Sequence, residues 1–242
     1  MLKRIAMFSF AILIMPAWGE DMTYGDCAAM VDRSPQTAER RAAEWQTHGG
    51  GVAAMHCHAL ALFGLRRYDE AARILDALGA NRDLSREERA ALFDQSGSAW
   101  LLANKPREGV LSLSSALSLK PSDPSLLANR ARARGLLKDW KGADADLSAV
   151  IAQDANRADL LVLRASARWA QDKKADAAAD VVRALEVYPD YPPALVERGK
   201  MKYSAGDTAG AQRDWQKAAA SGQGETAAEA KRFLANLQTK GR

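Results

Sequence analysis

The chain of 242 residues is 48% hydrophobic, 7% aromatic and 26% charged, with a formal net charge of +4. Its basic residues are interspersed with acidic ones, which argues against a nucleic-acid-binding protein. Beyond a short apolar stretch at the start, no segment has the roughly 20 apolar residues that a membrane span requires. The length and composition suit one elongated helical domain without a membrane span.

Residues 1–19 are predicted to be a secretory signal peptide. Lys3 and Arg4 form its charged start, residues 5–15 form its apolar core, and small residues surround a cleavage point after Gly19. The apolar core is too short for a membrane anchor, which needs about 20 residues. The sequence therefore predicts an exported protein, periplasmic in a bacterium or else secreted.

Residues 20–50 are predicted to form a pair of helices that caps the rest of the chain at its N-terminal end. The first helix is expected over residues 22–32. Ser34 and Pro35 then supply an N-cap and a first-turn proline for the second helix. Three consecutive glycines at positions 49–51 end this helix and separate the pair from the remaining helices.

The two cysteines, Cys27 and Cys57, are predicted to form a disulfide, because an even count in an exported protein favours pairing. The bond would stabilise the fold by about 3–4 kcal/mol on the chain-entropy model. A metal site and a free thiol are the alternatives, since residues 55–58 (Met-His-Cys-His) are dense in soft ligands. Adjacent helical residues point about 100° apart, so His56, Cys57 and His58 cannot converge on one ion. We therefore expect no metal and no cofactor.

The remainder of the chain repeats itself at an interval of 34 residues, at which Leu127 falls on Leu161 and then on Leu195, except that the first copy lies 38 residues before the second. Within each copy, apolar residues recur at helical spacing in two segments, so each copy is a pair of helices. One such pair cannot bury both its apolar faces alone, and neighbouring pairs must therefore stack.

Five copies share three columns of similar residues, of which one is large and apolar and two are small. Small residues are needed where paired helices cross closely. The columns are Met55, Phe93, Leu127, Leu161 and Leu195; Ala59, Gly97, Ala131, Ala165 and Gly199; and Ala71, Gly109, Ala143, Ala177 and Ala211. In these columns, and in the prolines at 121 and 189 that end two copies, the chain resembles tetratricopeptide-repeat (TPR) proteins.

This resemblance implies an all-α fold, a right-handed superhelical solenoid of TPR-like helical hairpins. Five repeats would span residues 51–220, and residues 221–242 would form a C-terminal capping helix and tail. The resemblance also implies a protein or peptide partner, although such repeats serve many partners and do not identify one.

The last three copies carry an arginine on the first helix and an aspartate 16 residues later on the second. The two earlier copies hold His58 with Ile74 and Ser96 with Ser112 at these positions, so both members are lost together. Two residues that contact each other are expected to be replaced together, as these are. We therefore predict structural ion pairs that fix the register of each hairpin, in preference to a ligand site. The pairs are Arg130–Asp146, Arg164–Asp180 and Arg198–Asp214.

No catalytic motif is present in the sequence. It contains no G-x-S-x-G, no Gly-rich phosphate loop ending in Gly-Lys-Ser/Thr and no H-E-x-x-H. Its three histidines all lie between positions 48 and 58, and its carboxylates are scattered over predicted solvent faces. We therefore expect that the protein is not an enzyme.

In a TPR-like stack the first helices line a concave groove, and residues next to the small column of each first helix face into it. The predicted groove residues are His56, Leu60, Phe63, Asp94, Leu101, Leu102, Arg132, Leu136, Val162, Trp169, Lys200 and Tyr203. Apolar and aromatic anchors with two cations in the C-terminal half suit a peptide with apolar side chains and an acidic group.

Two functions remain for the chain. The first is a protein–protein interaction scaffold or adaptor of the cell envelope or periplasm, which binds a peptide or protein segment in the concave groove. The alternative is a small-ligand or metal-binding periplasmic protein that uses residues 55–58.

Overall fold

The structure is a computed structural model that describes residues 22–221 and 224–240. The predicted signal peptide, residues 1–19, lies outside these ranges. Within them the chain forms thirteen helices and no strand. The helices are α1 (Tyr24–Arg33), α2 (Pro35–Thr47), α3 (Gly51–Gly64), α4 (Tyr68–Ala80), α5 (Arg86–Leu102), α6 (Pro106–Leu119), α7 (Pro124–Leu136), α8 (Trp140–Ile151), α9 (Ala158–Ala170), α10 (Lys174–Val187), α11 (Pro192–Ser204), α12 (Thr208–Ala220) and α13 (Glu225–Lys240). None of these described helices is both long and apolar enough to cross a membrane.

The helices α1 and α2 form the first antiparallel pair. A capping box between Thr23 and Asp26 starts α1, and Pro35 occupies the first turn of α2. Ser34 is the N-cap residue of α2 as predicted, but its side chain donates to the Thr37 hydroxyl and caps no backbone amide. The following glycines then turn the chain sharply, because Gly49 and Gly51 have φ angles of 89° and 51°.

Each later hairpin turns through a residue in the left-handed region at the same point of the repeat. Asn104, Lys138 and Asp172 have φ angles of 57°, 60° and 61°, and Gly206 follows at 88°. The turn between α3 and α4 has Arg66 at 60°. Only glycine adopts this conformation without a penalty, which is roughly 1–2 kcal/mol for other residues. All five repeats therefore use the same left-handed turn, even where the residue at that position is not glycine.

The core extends without interruption from α6 to α13. Its helices come close because small residues occupy the crossing points. A Cβ atom added to Gly199 of α11 would collide with the indole of Trp215 in α12, and one added to Gly97 of α5 would collide with Leu113 in α6. The small columns of the repeat therefore mark the closest approach of the two helices in each hairpin.

Successive first helices contact one another along the stack. Such contacts join α1 to α3, α5 to α7, α7 to α9, α9 to α11 and α11 to α13. Over the described ranges, successive second helices do not pack against one another in this way. The first helices therefore line the inner, concave side of the curved stack, and the second helices spread over its outer side.

The two cysteines are brought together between α1 and α3. The Cα atoms of Cys27 and Cys57 lie 6.1 Å apart, and both side chains are fully buried. That separation lies within the range that a disulfide spans. The first two helical pairs are thus placed so that a covalent link between them needs no movement of the backbone.

Candidate functional site

The aspartate column of the last three hairpins is surrounded by cations. Asp180 accepts two hydrogen bonds from Arg164, at 3.0 Å from Nε and 2.7 Å from Nη2. It accepts a third from Nη1 of Arg168 at 2.9 Å. The other two hairpins repeat this arrangement, with Asp146 between Arg130 and Arg134 and with Asp214 between Arg198 and Lys202.

The same arginines also connect one hairpin to the preceding one. Nη1 of Arg164 donates to the Ser148 hydroxyl of α8 at 3.2 Å, and Arg130 makes the equivalent bond to Ser114 of α6. The next serine position is occupied by Val182, which offers no acceptor to Arg198. The side chain of Arg198 is accordingly 38% exposed, against 14% for Arg164.

Burial and pairing act in opposite directions on the carboxyl of Asp214. Burial opposes its ionisation, but the hydrogen bonds from Arg198 and Lys202 outweigh this effect and lower its pKa from the usual value. Pairing also raises the pKa of Arg198. A buried aspartate with two cations is satisfied within its own hairpin, so these groups fix the hairpin.

The preceding hairpin, α5 and α6, fills the same positions without a cation. The hydroxyls of Ser96 and Ser112 lie 3.4 Å apart. Ser112 donates to Asp76 of α4 at 2.7 Å, and the indole nitrogen of Trp100 donates to the other oxygen of Asp76 at 2.8 Å. Two serines and a tryptophan therefore hold this hairpin to α4 where later hairpins use arginine.

At the N-terminal end of the concave face, the predicted groove residue His56 is engaged on both sides. Its Nε2 lies 2.8 Å from Oε1 of Gln95. An amide oxygen can only accept a hydrogen bond, so Nε2 is the donor. The Tyr24 hydroxyl then donates to Nδ1 at 2.9 Å. Leu60 and Phe63 line a shallow pocket of about 540 Å³ together with residues of α1.

The middle of the concave face carries a ladder of polar side chains across three first helices. Asn129 of α7 donates to Asp94 of α5 at 2.8 Å and accepts from Arg132 at 3.1 Å. Arg132 also lies 3.8 Å from the carboxylate of Asp159 on α9. We call Asp94, Asn129, Arg132 and Asp159 the polar ladder. The leucines at the ends of α5 and α7, Leu102 and Leu136, are 54% and 64% exposed.

Three other predicted groove residues are less accessible. Val162 is only 7% exposed and belongs to the core, so the prediction that it lines the groove is wrong. Val162 packs within the core that extends from α6 to α13. Leu101 and Trp169 are partly buried against the core as well.

At the C-terminal end, α13 packs against the last hairpin. Lys200 pairs with Glu197 and lies 3.7 Å from Glu229 of α13. The ring of Tyr203 lies 5.9 Å from that of Trp215, which stacks on Phe233 at 4.8 Å. A pocket of about 290 Å³ remains between these aromatic rings. Lys200 and Tyr203 therefore belong to a region closed on one side by α13.

Comparison with solved structures identifies the fold. YrrB, described as a TPR protein with an unusual peptide-binding site, has a TM-score of 0.61 and 15% identity over 73% of this chain and 90% of that one. MamA from Desulfovibrio magneticus RS-1 has a TM-score of 0.56 and 18% identity over 81% and 95% of the two chains. A tetratricopeptide repeat protein from Parabacteroides merdae has a TM-score of 0.57 and 14% identity over 88% and 81%.

The chain has the TPR fold. The predicted all-α solenoid of helical hairpins is thereby confirmed. No family model matches the chain. A curated protein, RNA polymerase II-associated protein 3 from Rattus norvegicus, is 29% identical over 103 residues, which are 43% of this chain but only 16% of that protein.

Two members of the polar ladder of this TPR stack, Asn129 and Asp159, were not predicted from the sequence. Asn129 lies three residues before Arg132, on the same side of α7, and Asp159 occupies the first turn of α9. The prediction used only positions next to the small column. Helical spacing from Arg132 would have indicated Asn129, whereas the contact with Asp159 depends on how closely α7 and α9 approach.

Residues 55–58 of the TPR stack point to separate partners. His56 contacts Tyr24 and Gln95, Cys57 is buried beside Cys27, and Nε2 of His58 lies 3.6 Å from Glu39. Among the residues that the structure describes, no group of three or more His, Cys, Asp or Glu side chains is placed to hold a metal ion. The side chains of this segment therefore face different neighbours and do not converge on one point.

Proposed function

We propose that the protein is a non-enzymatic protein–protein interaction scaffold of the cell envelope or periplasm, which binds a peptide or protein segment on its concave face. The observation that carries this proposal is the polar ladder on α5, α7 and α9, with the exposed Leu102 and Leu136 beside it.

The ladder has the composition of a peptide-binding surface. Amide, guanidinium and carboxylate groups offer both donors and acceptors to an extended backbone. The two leucines lie at the same point of successive first helices, 34 residues apart, so they offer apolar contacts at a regular spacing. The likeness to YrrB, which is described as having a peptide-binding site, supports this use of the fold.

The envelope setting is supported by two features. The charged start and apolar core of residues 1–19 have the pattern of a secretory signal. The adjacent and fully buried Cys27 and Cys57 suit an oxidising compartment, in which we propose that they form a disulfide. Cell fractionation tests this part, and recovery of the uncleaved chain in the cytosol would contradict it.

Site-specific photo-crosslinking tests the binding surface. A photoreactive amino acid replaces Leu102 or Leu136 on the concave side and, as a matched control, Leu111 of the second helix α6, which is 69% exposed. Crosslinking in the native cells is expected to give the same partner bands from positions 102 and 136, and none of these bands from 111. Equal bands from all three positions, or bands from 111 alone, would contradict concave-face binding.

A variant completes this test. Arg132→Ala with Leu136→Ala removes the central cation and one exposed anchor, and neither residue is buried. We expect loss of the partner bands from position 102 with unchanged helicity and melting temperature. Retention of those bands by the folded double variant would show that the partner binds elsewhere.

A further inference from the structure

A pocket of about 400 Å³ lies between α10 and α11, away from the polar ladder, and we call it the α10–α11 pocket. Its apolar lining includes Trp169, Val182 and Met201. Three basic residues, Lys174, Arg198 and Lys202, also line it. Its volume falls within the roughly 300–1,000 Å³ that is usual for ligand pockets.

The pocket exists because a polar network of the preceding interface is missing here. Between α8 and α9, Asp144 accepts from Arg168 at 3.0 Å and from Lys173 at 2.8 Å. Lys173 and Arg168 lower the pKa of this carboxyl even though burial opposes ionisation. Gln171 donates to the Trp140 carbonyl at 3.1 Å and closes the same space.

At the α10–α11 interface, 34 residues later, these positions carry different residues. Ala178 replaces the central aspartate, Ala205 replaces the glutamine and Val182 replaces the serine that pairs with arginine in earlier hairpins. Each change removes polar atoms or volume from the interface. The result is an apolar cavity between α10 and α11. At the corresponding place between α8 and α9, hydrogen-bonded side chains fill the space.

The charges around the pocket are unbalanced. Among the described residues that line it, three are basic and none is acidic. Arg198 and Lys202 share the one carboxylate of Asp214, at 2.6 and 2.9 Å. Lys174 lies 5.8 Å from the ring centre of Trp169. Its one ion pair with a described residue is with Asp172, which is 84% exposed, so solvent weakens this contact strongly.

We propose that the α10–α11 pocket binds an acidic segment of a partner protein. A bulky apolar side chain of that segment enters between Trp169, Val182 and Met201, and its flanking carboxylates pair with Lys174 and Lys202. An apolar or aromatic anchor inside a polar rim is a common composition of a binding hot spot. This surface goes beyond the proposed function, because it lies apart from the polar ladder and gives the scaffold a second partner site.

Fluorescence anisotropy with the whole chain tests the proposal. The probes are dye-labelled octapeptides with a central Leu, Phe or Trp, flanked by Asp and Glu, by Ser and Gly, or by Lys. The acidic peptides are expected to bind at least about tenfold more tightly than the other two sets, a difference of about 1.4 kcal/mol. Equal binding of acidic and neutral peptides, or no binding of any acidic peptide at about 1 mM, would overturn it.

A triple variant separates this pocket from other sites. Ala178→Asp, Val182→Ser and Ala205→Gln together introduce three of the residues that fill the preceding interface, although Asp207 stays at the position that corresponds to Lys173. We expect at least about a tenfold loss of acidic-peptide affinity. The matched control is Leu111→Ala on α6. Leu111 is 69% exposed and lies outside both surfaces, so this variant should bind these peptides like the wild type.

Val182→Asp serves if the triple variant does not fold, since this side chain is 54% exposed and tolerates a charge. It should repel the acidic peptides and reduce their affinity by a similar factor, and unchanged binding would contradict the proposal.

Two further outcomes would assign another occupant to the pocket. Self-association that Val182→Asp abolishes would indicate a second copy of the chain, and equal binding to anionic vesicles would indicate a lipid surface. A failed concave-face crosslink leaves these readouts unaffected, so the two proposals fail separately.

Discussion

The two halves of the stack use different chemistry at the same positions. In α7–α12, each hairpin holds a buried aspartate between two cations. In α5 and α6, the same two positions hold a pair of serines that are tied to Asp76. The repeat therefore specifies where two helices must be joined, while the joining groups are exchangeable provided that both members change together.

This difference means that the two halves should respond to different conditions. Ion pairs depend on pH and on the presence of every partner, because a buried charge left alone is costly. The N-terminal pairs of helices depend instead on contacts around Cys27 and Cys57, and so on the redox state if these residues are bonded. Four substitutions or treatments test this contrast.

The largest effect is expected from Asp180→Ala, which leaves Arg164 and Arg168 without their shared carboxylate in a largely buried site. We expect a loss of about 3–5 kcal/mol in the free energy of unfolding, measured by urea denaturation. Ser112→Ala in the N-terminal half is the matched comparison and should cost about 1–2 kcal/mol. A double-mutant cycle with Arg164→Ala tests the pair directly, and additive losses would mean that the two residues do not interact.

Loss of the cysteine link is expected to be the next largest effect. If Cys27 and Cys57 are bonded, reduction should lower the free energy of unfolding by about 2–4 kcal/mol. Hydrogen exchange should rise in α1–α3 while α9–α12 stay protected. Titration of the exported, unreduced protein should find no free thiol, and a full count of two thiols would end this prediction.

A smaller effect, dependent on pH, is expected from Asp214→Asn. The pKa of Asp214 is lowered in the folded chain, so its ionised form stabilises the fold above its unfolded pKa of about 3.9. That contribution is lost as the pH falls through the folded pKa. At pH 7 the variant should be about 1.5–3 kcal/mol less stable than the wild type, and the difference should shrink below about pH 4. A constant difference from pH 7 to pH 2 would show that charge is not the cause.

The smallest effect concerns the hairpin turns. Lys138 has a φ of 60°, a conformation that glycine adopts freely and that Gly206 already occupies in the last turn. Lys138→Gly is expected to raise the free energy of unfolding, by no more than about 1 kcal/mol because glycine also gains freedom in the unfolded chain. Asp139→Gly next to it is the control and should destabilise, because Asp139 caps α8.

The sequence was sufficient for the fold because the repeat is redundant. Columns such as Ala131, Ala165 and Gly199 recur at a fixed interval, so the hairpins and their closest crossings follow from one alignment of the chain with itself. The aspartate partners of the arginine column could also be predicted from this alignment, since both positions change together in the earlier copies. An alignment of the chain with itself therefore predicts contacts inside one hairpin.

Contacts between hairpins were harder to predict. The column position of Val162 predicts that it faces the groove, yet its side chain is buried in the core. The ladder contact between Arg132 and Asp159 depends on the approach of α7 to α9, which no spacing within one repeat contains. The α10–α11 pocket arises from three substitutions in two adjacent copies, each of which is ordinary alone.

From α5 onward, the constant interval of 34 residues makes successive repeats equivalent at their boundaries. A segment such as residues 158–191 begins and ends at matching points of the stack, so duplication of its coding sequence would insert one more hairpin with familiar junctions on both sides. The polar ladder would stay at its place, and the α10–α11 pocket would shift along the solenoid by one repeat. Such a change in copy number would therefore alter the distance between the two proposed partner sites without changing the residues that line them.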